Sequence, residues 1–377
     1  MRPGLTSIQE AERLECREFV EREIMPRAAG FDYEQRMPND LIQKLAARGY
    51  LGSHISVESG GGGKDIVTYG LINEELGRGC SSVRSLLTVH DMVCHAIARW
   101  GRKDQKASLL PKLARGQILA AFALSEPNVG SDARQVETTA VRLGDSYILN
   151  GEKTWISFGQ IADLFLVFAQ CEGQPAAFLI EKNSTGLSLE PLTDLLGLRA
   201  SMLAKLFLKD CSVPLENLVG KVGFGFSHVA ASALDQGRYS VAWGCVGIAK
   251  ACLEACIDYT NQRQQFGSLL REHQLIRRMI TDMVTNFQAA RVLCLSAGHL
   301  KEAGEPSASV QTQMAKYFAS KAAMRAAHDA VQIHGANGCS SEYPVARYYR
   351  DAKLMEIIEG SNEIQQLTIA EHVYHGF

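Results

Sequence analysis

The hydrophobic period of this chain changes twice, and that double switch restricts the available folds more than any single motif does. From residue 7 to about 116 the apolar residues recur at helical spacing. Ala11, Leu14 and Val20 follow a capping box read at Ser7 and Glu10, and further helices are expected over 41–47, 66–76 and 92–100. From about 119 to 219 the pattern is that of strands, at 146–149 before an Asn150-Gly151 turn, then 164–168, 176–180 and 206–208. Past Gly225 the helical period returns, with long helices expected over 227–259, 272–301 and 310–334, few prolines and many alanines. This order predicts an α+β chain that is mostly α. It has an N-terminal helical domain over 1–117, a central β-barrel-like domain over 118–221 and a C-terminal four-helix bundle over 222–377.

Charge and cysteine usage remove several function classes. The 39 basic and 41 acidic residues leave a formal charge of -2, without the polyelectrolyte signature of a nucleic-acid or membrane-surface binder. The N-terminal stretch is charged and helix-like rather than a signal peptide, and no later apolar run reads as a membrane span. Ten scattered cysteines contain no C-x-x-C; Cys252 and Cys256 lie four apart, but no histidine pair matches them. They read as buried thiols in a reducing cytoplasm, and no metal is expected.

Two glycine motifs carry no nucleotide chemistry. Gly60 to Lys64 reads GGGGK, but Asp65 follows the lysine and Glu58 takes the place of the first glycine of a phosphate loop, so a flexible surface turn is expected. Gly223 and Gly225 lack the third glycine of a dinucleotide fingerprint and any βαβ context, and read as a hinge.

Three other segments hold groups suited to chemistry. FALSEPNVGSD (122–132) ends a strand in a polar loop whose amides and hydroxyls, at Ser125 and Ser131, suit a heterocycle edge or a pantetheine chain. GEKTWIS (151–157) places Trp155 and Ser157 on one side of an extended strand, a flat ring beside a hydroxyl. In RDAKLMEIIEGSNEIQ (350–365), Glu359 follows Ile357-Ile358 and precedes Gly360. Apolar neighbours raise a carboxylate's pKa and strengthen it as a base. Taken singly, each segment also reads as an edge turn, a core tryptophan or a solvated glutamate.

In order along the chain, the ALSEP-x-x-GSD loop, GEKTWIS, LGLRAS (196–201), RQQFG (263–267), QIHGANG (332–338) and RDAKLMEIIEGSNEIQ resemble the acyl-CoA dehydrogenase family over essentially the whole sequence. The resemblance implies FAD lodged between the β unit and the helical bundle. Phe122, Leu124, Ser125, Trp155 and Ser157 match flavin-lining positions, and Ser361 matches another cofactor contact. Arg263, Phe266, Gln274, Gln332 and Gly335 match positions through which a neighbouring subunit completes the adenine and pyrophosphate site, so a homodimer or homotetramer is implied. Ser131, Asp235 and Arg238 match positions near the pantetheine arm. Asp235 and Arg238 lie one helical turn apart and are equally able to form an intrahelical ion pair.

Glu359 matches the base that takes the proton α to a thioester carbonyl while a hydride leaves the β carbon for the flavin. Its own amide, beside Gly360, would face the thioester oxygen. An electron-transferring flavoprotein is the implied acceptor. Val129 and Gln135 stand where the family has small residues, and Leu203 where threonine is common. In overall impression the chain is similar to the dehydrogenases that make hydroxymalonyl or methoxymalonyl polyketide extender units on an acyl carrier protein in ascomycin-type pathways. A short oxygenated acyl-ACP is then the expected substrate. The alternatives are a short-chain acyl-CoA dehydrogenase and a flavin monooxygenase on the same fold.

Overall fold

The computed structural model describes residues 4–374. Its first third is helical: α1 (Ser7–Phe19), α2 (Ala28–Glu34), α3 (Asn39–Ala47), α4 (Ile66–Gly79), α5 (Ser81–Trp100) and α6 (Lys103–Ala114). The capping box sits one residue earlier than expected. Thr6 is the N-cap, and its hydroxyl and the Gln9 side chain satisfy each other's backbone N–H groups. The glycine run at 60–64 is not a loose turn. Gly63 and Lys64 donate from their backbones to Ile55 and Ser53, and a Cβ on Gly61 would lie 2.3 Å from the Ile55 carbonyl.

Nearly every residue of α4 and α5 is buried, because these two helices sit between the N-terminal layer and the C-terminal bundle. Charged residues on α4 are therefore paired. Glu75 is buried against Arg13 of α1, Arg78 and Lys250. Burial opposes its ionisation, but the charges of Lys250, Arg78 and Arg13 prevail and hold its carboxyl below the usual range.

The middle of the chain forms one eight-stranded sheet: β1 (Ala120–Ala123), β2 (Thr139–Leu143), β3 (Ser146–Ile156), β4 (Leu164–Cys171), β5 (Gln174–Glu181), β6 (Leu187–Pro191), β7 (Ala204–Pro214) and β8 (Leu218–Val219). The order is β6-β7-β3-β2-β4-β5-β8, with β1 also pairing with β4 in parallel. The sheet does not close into a barrel. Its edge strands are the five-residue β6 and the two-residue β8, and no pairing joins them among the described residues. Asn150-Gly151 does not turn the chain either. β3 runs through it with a register shift against β7, the Asn150 side chain pairs with Asp210, and a Cβ on Gly151 would lie 2.5 Å from Thr138 Oγ1.

A π-helical turn (Gly225–Ala230) leads into α7 (Ala231–Thr260), followed by α8 (Gln274–Ala303), α9 (Ala308–His334), α10 (Val345–Met355) and α11 (Asn362–Tyr374). The alanine-rich α9 lets α7, α8 and α10 approach closely. Because α4 and α5 also pack on α7, the bundle core is continuous with the N-terminal helices. The stretch Gly225–Thr260 is long and apolar enough to span a bilayer, which the sequence reading overlooked. It is instead the central core helix, its apolar window 78% buried inside the protein.

Candidate active site

Glu359 lies in the tight link between α10 and α11, where the chain turns left-handed twice, at Glu359 (φ 56°) and Gly360 (φ 91°). The first is a strained conformation for a non-glycine residue and persists only where the surroundings fix it. Here side chains from α7, α9 and α11 do so. Arg238 Nε donates to the Glu359 carbonyl at 3.0 Å and Gln365 Nε2 to the Gly360 carbonyl at 3.1 Å. Lys316 Nζ donates to the carbonyls of Glu356 and Gly360 and to Asn362 Oδ1, which also accepts from Ser320. Ser361 Oγ accepts from the Ile364 N–H at 3.5 Å and opens α11. No acceptor takes the Glu359 N–H among the described residues.

The turn aims the Glu359 carboxylate at α7 and α5. A Cβ on Gly237 would lie 2.8 Å from Glu359 Oε2 and 2.7 Å from Met92 Sδ, so only glycine leaves room for the carboxylate there. Protein surrounds the group, and the residue as a whole keeps partial access to solvent. Burial raises its pKa to about 7, and the nearby charges of Arg238, Arg84 and Lys316 keep it from rising further. A carboxylate poised near neutrality, buried and without an ion-pair partner, is suited to act as a general base.

The two β-unit segments are joined by a buried ion pair that sequence reasoning missed. Glu126, in the 122–132 loop, accepts from Lys153 Nζ at 2.6 Å, from the Thr138 N–H and hydroxyl, and from the Glu137 N–H. Burial raises the carboxyl's pKa, but Lys153 and these donors outweigh it and hold the group ionised. Lys153 also donates to the Leu124 carbonyl, and the Thr154 N–H donates to Ser125 O at 2.9 Å. A serine-bearing loop and the Trp155 strand thus stand side by side.

Trp155 does not sit on a regular extended strand as expected. Its φ is 61°, β3 shifts register between Lys153 and Ile156, and Ser157 falls beyond the strand's end. The bulge re-aims the indole, which is 60% exposed. Phe122 is half-buried against Phe168, with ring centroids 5.0 Å apart; Leu124 is buried and Ser131 exposed. A bare indole beside a loop of polar groups fits an isoalloxazine ring, which needs a flat apolar support and edge hydrogen bonds.

The remaining predicted residues fall into two groups. Arg263, Phe266, Gln274, Gln332 and Gly335 are exposed, Phe266 97% so. Asp235 and Arg238 do not pair with each other. Asp235 bonds Lys301 on α8, and Arg238 is drawn to the Glu359 turn, because each finds a partner on a neighbouring element. Cys252 and Cys256 are buried in the bundle core. His90, Asp91 and Cys94 approach a metal-like spacing, but His90 Nε2 already bonds the Leu113 carbonyl and its Nδ1 accepts from the Ala120 N–H. Lys316, Arg84, Gly237 and Gln365 were not foreseen. A lysine within alanine-rich α9 and an arginine within buried α5 were the available signals.

Residues 6–117, 121–211 and 223–374 match, in turn, the N-terminal, middle and C-terminal domains of acyl-CoA dehydrogenase. The short-chain specific acyl-CoA dehydrogenase of Clostridium acetobutylicum is 38% identical over 98% of this chain and 99% of its own length. The structure of butyryl-CoA dehydrogenase from Megasphaera elsdenii superposes with a TM-score of 0.95 at 36% identity, covering 99% of this chain and 100% of that one. FkbI, described as acting in biosynthesis of the methoxymalonyl extender unit of the FK520 polyketide, gives a TM-score of 0.88 at 33% identity, over 97% of this chain and 99% of that one.

Proposed function

Because this chain belongs to the acyl-CoA dehydrogenase family, an FAD-dependent family of oxidoreductases, we propose that it oxidises a short acyl-CoA to the 2-enoyl thioester with Glu359 as base. The observation that carries this reading is the buried, unpaired Glu359 carboxylate, poised near neutrality beside Gly237. Glu359 takes the α proton, and its free N–H faces the thioester oxygen, where negative charge grows as the C–H bond breaks. Arg84, Arg238 and Lys316 supply positive potential around that charge. FAD, when bound, accepts the hydride that leaves the β carbon, which balances the two-electron oxidation. Phe122, Leu124, Ser125, Trp155, Ser157 and Ser361 hold the flavin; Ser131, Asp235 and Gly360 face the thioester arm, and Arg238 fixes the turn that presents the base. The exposed Arg263, Phe266, Gln274, Gln332 and Gly335 serve a second copy of the chain, so the active form is a homo-oligomer, and an electron-transferring flavoprotein reoxidises the cofactor. The similarity to short-chain acyl-CoA dehydrogenases, at higher identity than to FkbI, supports coenzyme A as carrier and a short acyl group.

A second reading keeps the base and changes the cargo: a short oxygenated acyl group on an acyl carrier protein, oxidised during hydroxymalonyl or methoxymalonyl extender-unit formation. The likeness to FkbI over nearly the whole chain supports it. Anaerobic titration of the FAD-loaded protein with butyryl-CoA and with short acyl-ACP separates the two. Bleaching of the oxidised flavin band by butyryl-CoA, with crotonyl-CoA as product, is the expected result. Bleaching by acyl-ACP alone transfers the assignment to the second reading, and formation of a flavin hydroperoxide with oxygen would move it to a monooxygenase.

A further inference from the structure

Arg84 on α5 has no counterion. It is completely buried, yet no carboxylate lies within ion-pair distance among the described residues. Its Nη1 donates to Thr88 Oγ1 at 2.7 Å and its Nη2 to the Met355 thioether at 3.4 Å, while Nε has no partner at all. A thioether is a weak acceptor, so one edge of the guanidinium fork goes unanswered. The four other lysines and arginines buried this deeply are answered: Arg13 and Arg78 by Glu75, Lys153 by Glu126, and Lys316 by three oxygens. A buried cation without an anion is an arrangement that proteins retain for a ligand more readily than for stability.

Its position identifies the ligand. Arg84, Thr88 and Met92 recur every four residues and form one stripe of α5 facing α7. Across from them lie Gly244, whose Cβ would be 2.7 Å from Arg84 Nε, then Ser240, 2.6 Å from Thr88 Oγ1, then Gly237, which touches both Met92 and Glu359. A continuous line of contacts therefore descends from the base to Arg84. The guanidinium bends up to the level of Thr88, one helical turn or about 6 Å below Met92, which is the span of a short acyl tail.

We propose that Arg84 receives an oxygen at the distal end of a short acyl chain, a carboxylate above an uncharged hydroxyl, so that the preferred thioester is short and ω-oxygenated rather than plainly aliphatic. The proposal rests on the acyl-thioester reading above and narrows its substrate class. It makes Arg84 a specificity residue that answers its own missing charge only when substrate is bound.

Calorimetric titration of the FAD-loaded protein with succinyl-CoA, 4-hydroxybutyryl-CoA and butyryl-CoA, all four-carbon chains, tests it. Succinyl-CoA is expected to bind about 10- to 100-fold more tightly than butyryl-CoA, the yield of one charge-assisted hydrogen-bond pair, with 4-hydroxybutyryl-CoA between them. Arg84→Met abolishes the preference, and Arg84→Lys, which keeps the charge but loses the fork, reduces it severalfold. FAD content and thermal melting confirm that the variants are folded; if Arg84→Met does not fold, the wild-type ratio and Arg84→Lys decide. Equal or weaker binding of succinyl-CoA by the wild type overturns the proposal, as does a preference that survives Arg84→Met. Flavin bleaching by butyryl-CoA without a succinyl preference leaves the dehydrogenase reading standing and removes this one. A preference that depends on Arg84, without bleaching by any thioester, does the converse.

Discussion

Replacing Glu359 with glutamine should make the protein inactive and, above neutral pH, more stable. Burial raises the carboxyl to about 7, from the 4.5 usual for a glutamate in water. In the unfolded chain the same group ionises near 4.5, so folding at pH 8 must hold a charge that the folded state disfavours. The sign follows from proton linkage: the folded state binds the extra proton, so stability falls as pH rises from about 4.5 to about 7 and levels off above. A shift of that size corresponds to about 3 kcal/mol at pH 8 and less than about 1 kcal/mol at pH 5. Glutamine imitates the neutral acid. Glu359→Gln should therefore melt about 4 °C higher than wild type at pH 8 for a chain of this length, and nearly level with it at pH 5. Turnover of butyryl-CoA should drop by about 10²- to 10⁴-fold, the usual worth of a positioned base. The assay is thermal unfolding of both proteins, loaded with FAD to equal occupancy, at the two pH values. A melting difference that is the same at pH 5 and pH 8, or that favours wild type at pH 8, would refute the claim that desolvation sets the state of this carboxylate.

Three further outcomes follow from the same geometry. For wild type, kcat/KM should rise with pH through a single ionisation near 7 and then level off, because only the ionised Glu359 accepts a proton; steady-state rates from pH 5.5 to 8.5 measure this. Gly237→Ala should lower kcat at least tenfold with FAD retained, since the new methyl meets Glu359 Oε2 and Met92 Sδ below 3 Å; flavin absorbance and rates, measured together, separate the two effects. Glu126→Gln should destabilise by about 3–5 kcal/mol and loosen FAD by leaving Lys153 buried and unpaired, and adding Lys153→Met should restore part of the loss in a melting series.

The sequence disclosed the succession of helices, strands and helices, because periodicity follows which face of each element is buried. The long helices lie within a few residues of where the period put them. Asn150-Gly151 misled because the usual signature of a hairpin turn also serves a bulge, and the side chain of Asp210 on another strand decided between them. The regular Trp155 strand failed for a related reason: the left-handed backbone there is set by pairing with β7, which no local pattern encodes. Glu359 was legible as a candidate from its apolar neighbours. Its environment was not, because Arg238, Arg84 and Lys316 reach it from α7, α5 and α9, more than 40 residues away in each case. Asp235 and Arg238 illustrate the same limit. Helical spacing made them partners on paper, but packing gave each a stronger one elsewhere.

The division of labour between the elements explains how the Glu359 carboxylate reaches the middle pKa that the proposed base requires. Burial alone would carry Glu359 far above neutrality and leave it protonated, a poor acceptor for an α proton. Cations alone, at the surface, would hold it low and leave it a weak base. The required middle value needs a low-dielectric wall and positive charge together, and no single element offers both. The close-packed helices, with glycine at Gly237, supply the wall. The cations enter from three different helices, Arg238 on α7, Arg84 on α5 and Lys316 on α9. Two of them, Arg238 and Lys316, also hold the left-handed turn in place, so the groups that tune the base are the groups that aim it. Arg84 aims nothing in the turn. It contributes charge from deeper along the α5–α7 interface, which is why its role is sought in the substrate and not in the fold.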